Sequence, residues 1–269
     1  LFLNGVGLEV GGKPLLASLT FKLYPGELCG LIGPSGAGKS TLMKILLGLR
    51  KPTSGSLQLF QKPVEEAGPV GYVPQEDALH TALTSRQALG FCADLRLSQL
   101  PSAERQARVQ ETIQKVGLEE RADVKIARLS GGQRKRVSVA MELLTQPPVL
   151  ILDEPTNGLD PEGIQEVRDL LKNLASQGTT VFVSSHLLSE LELICEYIVM
   201  LRKGEVVFAG TMQELLLEQQ PVILVKTEKD SDLQKIAEIA HNAGHQSQNR
   251  SGALHIEAPA EWAGELNRR

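Results

Sequence analysis

The chain has 269 residues and a formal net charge of −4, from 28 lysines and arginines against 32 aspartates and glutamates. This acidic balance, with only 4% aromatic residues, argues against a surface that binds nucleic acid. Charged and apolar contents of 22% and 42% are typical of a globular protein, which excludes wholesale disorder. Apolar runs such as Val149–Leu152 fall far below the ~20 residues that span a bilayer, so no membrane-spanning helix is predicted.

The start of the chain and its cysteines bear on where the protein works. No basic segment followed by an apolar core begins the sequence, so no secretory leader is expected. A start at Leu1 rather than Met indicates a trimmed chain or a fragment. Cys29, Cys92 and Cys195 lie far apart without a CxxC pair, which disfavours a disulfide framework or a zinc site. We expect reduced, mostly buried thiols and a cytosolic protein.

Short apolar stretches punctuated by Gly and Pro fill the first 75 residues and predict a region rich in strands. Leu15–Phe21 and Leu28–Ile32 are the clearest strands, and Gly11-Gly12 and Pro25-Gly26 are typical of turns. A helix is predicted after Ser40. Apolar residues recur there at the spacing of a buried helical face: Leu42, Ile45, Leu46 and Leu49.

Leucines mixed with Arg, Glu, Gln and Ala follow, and predict a helical subdomain over about residues 78–128. Ala103–Val116 has the pattern of an amphipathic helix within it. Ser130–Thr145 is predicted as a further helix, stopped by Pro147-Pro148. The charges at Arg134–Arg136 are expected on a solvated face of that helix.

Strand alternating with helix then indicates a layered α/β domain. The apolar run Val149–Leu152 is typical of a strand buried on both faces of a parallel sheet. Pro161–Gln177 is predicted as a helix with Asp160 as its N-cap, and the β-branched segment Thr179–Ser184 as the next strand.

The alternation of predicted strands and helices becomes less regular beyond Gly210. We therefore divide the chain into a main domain, 1–215, and a small extension, 216–269. Met212–Gln219 is predicted as a helix, and His241–Ser251 as a long exposed loop. A strand–helix–strand unit is predicted from three segments: Val222–Lys226, Leu233–Ala243 and Leu254–Glu257. Residues 221–269 are interpreted either as a regulatory module or as a spacer that only packs on the main domain.

Residues 33–40 match the phosphate-loop pattern G-x-x-x-x-G-K-[ST] in every fixed position, between a predicted strand and a predicted helix. Glycines let successive backbone N–H groups turn inward as an anion nest, and the helix N-terminus adds its dipole. Lys39 would supply charge to the β- and γ-phosphates, and the Ser40 hydroxyl would ligate Mg²⁺. The expected nucleotide-binding set is Gly33, Pro34, Ser35, Gly36, Ala37, Gly38, Lys39, Ser40 and Thr41.

A pair of acids follows the buried strand Val149–Leu152 and would complete the site for ATP and Mg²⁺. Asp153 is the candidate metal carboxylate, and Glu154 the candidate general base for the attacking water. The alternative is that two acids simply end a strand. The upstream phosphate loop favours the catalytic interpretation.

A second anion-binding turn opens the helix after Leu129: Ser130, Gly131, Gly132 and Gln133. One chain has little use for two γ-phosphate sites, so this turn would serve another molecule's nucleotide. The sequence Leu-Ser-Gly-Gly-Gln is similar to the signature of ATP-binding cassettes of the ABC transporter family, and the resemblance covers about residues 1–215. It implies a three-layer P-loop NTPase core with an N-terminal antiparallel β subdomain, a helical signature subdomain and a small C-terminal α+β extension.

The resemblance also implies roles for single residues. Two cassettes would dimerise head to tail, with Ser130, Gly131, Gly132 and Gln133 of each against the ATP of the other. Gln75 would touch Mg²⁺ or water, His186 would sense the γ-phosphate, and Asp160 would lie at the dimer interface. Val10 stands where many family members have an aromatic that stacks on adenine, so an aliphatic contact is expected in its place.

Residues 131–138 and 71–80 resemble the G-type and ABC-2 exporter branch. This implies export, although import stays open, through a transmembrane permease on a separate chain or a removed segment. The cassette is then expected at the cytoplasmic face of the cell membrane. The alternative is a soluble ABC ATPase that acts on nucleic acid or ribosomes. A single cassette without a basic stripe or a CxxC pair counts against it.

Overall fold

The computed structural model describes residues 1–59, 62–63, 66, 68–218, 222–225, 230–250, 253–258, 262–263 and 266. The chain divides into two compact units, Leu1–Met212 and Gln213–Arg269. None of the helices among the described residues combines the length and apolarity needed to cross a bilayer.

An antiparallel sheet of four strands begins the first unit, in the order β2-β1-β4-β5. Its strands are β1 (Phe2–Val10), β2 (Lys13–Lys22), β4 (Ser54–Leu59) and β5 (Lys62–Pro63). Gly11 and Gly12 have φ values of 59° and 74° and form the predicted turn between β1 and β2. The backbone there is in the left-handed region that favours glycine.

A second sheet has six strands in the order β10-β9-β3-β8-β7-β6, and the phosphate loop, Gln75, the acid pair and His186 follow four of them. Its strands are β3 (Leu28–Ile32), β6 (Val70–Val73), β7 (Val149–Leu152), β8 (Thr180–Ser185), β9 (Tyr197–Arg202) and β10 (Glu205–Thr211). All pairs are parallel except β9 with β10. Every residue of β3, β7 and β8 is buried, as the apolar runs predict. Because β3, β7 and β8 are parallel, their carboxyl ends lie at the same edge of the sheet.

Eight α-helices are present among the described residues. They are α1 (Lys39–Leu46), α2 (Ser85–Arg96), α3 (Ser102–Lys115), α4 (Gly131–Leu143), α5 (Pro161–Ser176), α6 (Leu188–Leu191), α7 (Met212–Glu218) and α8 (Asp230–Asn242). Helices α2 and α3, with short 3₁₀ turns at Glu119–Arg121 and Ile126–Arg128, occupy the predicted helical subdomain. Thr84 begins α2 through a capping box with Gln87.

The end of α1 corrects one sequence prediction. Leu49 is not on a buried helical face, because α1 ends at Leu46 and the Leu49 side chain is 73% exposed. Gly48, with φ of 68°, turns the chain there and donates its N–H to the Ile45 carbonyl. The other three apolar residues of the predicted face, Leu42, Ile45 and Leu46, are buried in a core that both sheets share.

The cysteines of the chain are free and buried, as predicted. Burial raises the pKa of the thiols of Cys29, Cys92 and Cys195. Because the thiolate is the reactive form, we expect almost no labelling by an aromatic disulfide reagent at pH 8 in the folded protein. Unfolding in guanidinium should expose all three thiols to the reagent. The absorbance of the aromatic thiolate that the reagent liberates would give the number of thiols that react. Rapid stoichiometric labelling of the folded protein would contradict this burial.

The second unit has a sheet of three antiparallel strands, in the order β11-β13-β12. These are β11 (Val222–Val225), β12 (Gln246–Arg250) and β13 (Ala253–Glu257), and α8 packs on the sheet. The predicted loop His241–Ser251 is wrong over β12, because residues 246–250 pair along β13. The polar composition of these residues does not indicate a strand, although β12 forms one edge of this sheet. Three ends of predicted elements, Gln219, Lys226 and Ser251, lie outside the described residues.

Candidate nucleotide-binding site

The predicted phosphate loop runs from the end of β3 at Ile32 to the start of α1 at Lys39. Gly38 is the N-cap of α1 with φ of 107°, and Gly36 has φ of 77°. A Cβ at Gly38 would lie 2.7 Å from the Leu16 Cδ2 atom. The left-handed backbone therefore favours glycine at both positions, and a side chain at Gly38 would also displace Leu16. The backbone is left open to a large anion at the helix N-terminus.

Lys39 lies at the base of this loop, and only 8% of the residue is exposed. Its Nζ donates to the Gly33 carbonyl at 2.6 Å and lies 3.8 Å from Oε1 of Glu154. A Cβ at Gly33 would come 2.5 Å from the Leu201 carbonyl oxygen, so that position also needs glycine. The ammonium is thus held between the loop and the acid pair.

The acid pair follows β7 as predicted. The Asp153 N–H donates to the Val73 carbonyl at 2.9 Å, which continues the pairing of β7 with β6. Ser184, at the end of β8, donates its hydroxyl to Oδ1 of Asp153 at 2.6 Å. The same Ser184 oxygen accepts the N–H of Glu154 at 2.9 Å. One buried hydroxyl therefore fixes both acids.

Glu154 adopts a left-handed backbone, with φ of 43°, which is uncommon for a residue other than glycine. Its Oε2 atom is 2.7 Å from Nδ1 of His186, so a proton on that nitrogen is donated to the carboxylate. The Glu154 side chain is 16% exposed and that of His186 is 51% exposed. The backbone turn aims the carboxylate at Lys39 and His186.

These residues surround one cleft of about 510 Å³. It is lined by Leu15, Pro34, Ser35, Gly36, Ala37, Gly38, Lys39, Ser40, Thr41, Gln75, Asp153, Glu154 and His186. The structure thus brings together the predicted loop, the acid pair, Gln75 and His186, which lie far apart in the sequence. Val10 does not line the cleft and is 45% exposed at the end of β1, whereas Leu15 does line it. The adenine contact of Val10 stays a prediction.

Oxygen-bearing side chains at the cleft fit a hard divalent cation. Ser40, Gln75 and Asp153 would contribute a hydroxyl, an amide and a carboxylate, the ligand types that Mg²⁺ takes alongside substrate phosphates and water. No cluster of three or more His, Cys, Asp and Glu side chains able to hold a metal occurs among the described residues. This donor set suits a metal that arrives with phosphates better than a metal held by protein alone.

The signature turn lies at the start of α4 and not in this cleft. Ser130 is the N-cap in a capping box: its hydroxyl oxygen accepts the backbone N–H of Gln133, and Oε1 of Gln133 accepts the backbone N–H of Ser130. Gly132 faces the start of α5, where an added Cβ would lie 2.7 Å from the Gly163 Cα atom. A Cβ at Gly131 would likewise lie 2.9 Å from Leu159 Cδ2. Close packing of α4 on α5 therefore accounts for Gly132, whereas the contact at Gly131 is with the end of the Leu159 side chain, before α5 begins.

Asp160 caps α5, as the sequence predicts. Its Oδ1 atom accepts the N–H of Gly163 at 3.1 Å, and Pro161 occupies the first turn. This cap accounts for the carboxylate locally. The interface role that the resemblance implies for Asp160 stays a prediction.

The charged run on α4 corrects another prediction. Arg134–Arg136 does not form a solvated face, because Lys135 is 2% exposed and Arg134 and Arg136 are half-buried. Arg136 bonds Glu166 of α5 at 3.0 Å, and Arg134 donates to the Leu129 carbonyl at 2.7 Å. Long charged side chains can pack their stems in the interior when their heads find partners.

The sequence profile of the family described as ABC transporter matches residues 16–157, which contain the phosphate loop, the signature turn and the acid pair. This chain belongs to the ABC transporter family. It is an ATP-binding cassette that hydrolyses ATP for transport. The soluble alternative that acts on nucleic acid or ribosomes is not favoured.

Relatives of the cassette agree with this assignment. The uncharacterised ABC transporter ATP-binding protein YdbJ of Bacillus subtilis is 31% identical over 277 residues, 100% of this chain and 86% of that protein. Nod factor export ATP-binding protein I of Cupriavidus metallidurans is 36% identical over 211 residues, 77% of this chain and 69% of that protein. Among solved structures, a dimeric post-hydrolysis state of the ATP-binding cassette MJ0796 with ADP and Pi has a TM-score of 0.65 at 28% identity, covering 78% of this chain and 98% of that one.

Ser184 is a residue of the cassette site that the sequence reasoning missed. A polar pair, Ser184-Ser185, ends an apolar strand directly before His186, and that was the available signal. Polar side chains at the carboxyl end of a buried strand point to a site when neighbouring strands end in acids.

Replacing Ser184 by alanine should destabilise the cassette by about 1–3 kcal/mol, because Asp153 and the Glu154 N–H both lose a buried partner. Urea unfolding would measure this difference. The matched control is Ser176→Ala, whose exposed hydroxyl only bonds the Asn173 carbonyl and should cost less than about 0.5 kcal/mol. Equal stability of the two variants would contradict the anchoring role of Ser184.

Proposed function

We propose that two copies of this cassette bind two ATP molecules between them, head to tail, and drive export through a transmembrane permease at the cytoplasmic face of the cell membrane. The separation of two phosphate-binding features carries this proposal. The phosphate loop and the acid pair share one cleft, whereas residues 130–133, all of them described, lie outside its lining. A second cassette would bring its own signature turn to that cleft.

Within the cleft, the loop backbone and Lys39 would bind the β- and γ-phosphates. Ser40, Asp153 and Gln75 would hold Mg²⁺, which neutralises developing phosphate charge when bound. Gly36 and Gly38 already have left-handed backbone conformations, with φ of 77° and 107°, so this turn of the loop would not have to form on binding. Most of the rate enhancement would then come from positioning the phosphates and from neutralising their negative charge.

Glu154 would accept the proton of the attacking water. Its carboxylate is oriented from two sides, by Lys39 at 3.8 Å and by His186 at 2.7 Å. Ser184 fixes the backbone from which it projects. His186 is exposed enough to meet the γ-phosphate as well, so one side chain would connect the base with the phosphate that is released.

Export and a permease partner are supported by family and sequence pattern. The relative from Cupriavidus metallidurans is named as an export ATP-binding protein. Residues 131–138, with Arg134, Lys135 and Arg136, resemble the ABC-2 and G-type version of the signature helix. The solved structure of MJ0796 is dimeric, which supports a pair of cassettes.

The test is the association state of the Glu154→Gln variant. ATP should convert it from monomer to dimer at micromolar concentration, because bound nucleotide is no longer consumed. Light scattering with and without ATP would measure the mass, and ADP serves as the control that lacks the γ-phosphate. A strictly monomeric protein at saturating ATP would contradict the composite site.

A further inference from the structure

The most completely buried charge on α4 belongs to Lys135, whose side chain is 3% exposed. An ammonium group has three N–H bonds, and here each has an acceptor. Nζ lies 3.2 Å from the Pro74 carbonyl, 3.0 Å from the Gln75 carbonyl and 2.7 Å from Oδ1 of Asp77. All three acceptors belong to the segment that follows β6.

A second side chain of α4 reinforces this contact. Ser138 lies one turn after Lys135 on the same helical face and donates its hydroxyl to Oδ1 of Asp77 at 2.8 Å. Asp77 is therefore held by both an ammonium and a hydroxyl. We call residues 74–77, Lys135 and Ser138 the Lys135 clamp.

The clamp joins two parts of the cassette that face different nucleotides in the proposed function. Its far end holds the backbone of Gln75, a residue that lines the cleft of this chain. Its near end is α4, which begins with Ser130 and the signature glycines. A displacement of α4 must therefore either move Gln75 or break a buried ion pair, and breaking such a pair is strongly unfavourable.

We propose that Lys135 is a positioning residue that couples Gln75 in the chain's own cleft to the signature helix presented to the second cassette. This rests on the proposed function, in which Gln75 contacts Mg²⁺ or the attacking water. The charge of Lys135 lies outside the cleft lining, so its effect should fall on turnover and not on ATP affinity.

The first experiment reports on the clamp without ATP. A nitroxide label on Glu76→Cys, an exposed position inside residues 74–77, reads local mobility in the full chain. Lys135→Met should raise the label's mobility at least twofold in the electron paramagnetic resonance spectrum. The matched control is Lys172→Met, which removes an exposed charge of α5 outside the cleft lining and should leave the spectrum unchanged.

The second experiment measures turnover and affinity in the unlabelled variants. Lys135→Met should lower kcat at least tenfold while the Kd for ATP stays within about threefold of the starting protein, and Lys172→Met should change both little. An immobile label in Lys135→Met, or a mobile label with unchanged kcat, would overturn the proposal.

Ser138→Ala keeps the test decisive if Lys135→Met does not fold, because it removes only one bond from Asp77. It should raise label mobility and lower kcat by about twofold to fivefold, and no change in either would overturn the proposal. Inactive starting protein would instead contradict the proposed function, while the label would still decide the clamp.

Discussion

Replacing Glu154 by glutamine should nearly abolish ATP hydrolysis and leave ATP binding intact. The amide keeps the size of the side chain but cannot take the proton of the attacking water. Positioned general bases contribute about 10²–10⁴-fold, so kcat should fall by at least a hundredfold. Steady-state phosphate release measures kcat, and calorimetric titration with ATP measures the affinity.

The matched control for this substitution is Glu192→Gln, which changes an exposed carboxylate outside the cleft. It should hydrolyse ATP at the rate of the starting protein. Turnover within a factor of three in Glu154→Gln would remove Glu154 from the role of base, and another group would have to accept the proton.

Replacing Lys39 by alanine should weaken ATP binding at least tenfold. The ammonium is buried at the base of the phosphate loop, and charge-assisted hydrogen bonds there contribute about 1.5–3 kcal/mol. Each 1.4 kcal/mol corresponds to tenfold in affinity, so the Kd should rise about tenfold to hundredfold. Titration with a fluorescent ATP analogue measures it directly.

Lys44→Ala is the control on the same helix, because Lys44 is exposed in the last turn of α1. Its Kd for ATP should equal that of the starting protein, and its stability should change by a few tenths of a kcal/mol. Unchanged ATP affinity in Lys39→Ala would contradict the assignment of residues 33–41 as the phosphate loop.

Local patterns in the sequence are enough to predict the phosphate loop and the acid pair of this cleft. The strand Leu28–Ile32, the glycine-bearing loop and the helix after it follow one another directly, so their order alone defines the loop. The acids after Val149–Leu152 are similarly readable, because a run of buried residues fixes where the strand ends. Resemblance to a known family then relates Gln75 and His186 to them, and the structure brings both to the same cleft.

Contacts between distant segments could not be predicted in this way. Ser184 acts on Asp153 across 31 residues of sequence, and Lys135 reaches Gln75 across 60. Composition misleads in such cases, because the charges of Arg134–Arg136 are typical of a solvated face until their partners are known. The same holds for β12, whose polar residues form a strand only because β13 supplies the hydrogen bonds.

The close approach of Gly132 to Gly163 has a consequence for the association of two cassettes. These glycines lock the start of α4 against the start of α5, while Asp160 is fixed by its own cap. The starts of α4 and α5, on the surface that we propose faces the second cassette, are thus already packed together in the monomer. Conformational entropy that would otherwise be lost on association is already lost when the monomer folds. Nucleotide binding would therefore not have to order the starts of α4 and α5 before two cassettes associate.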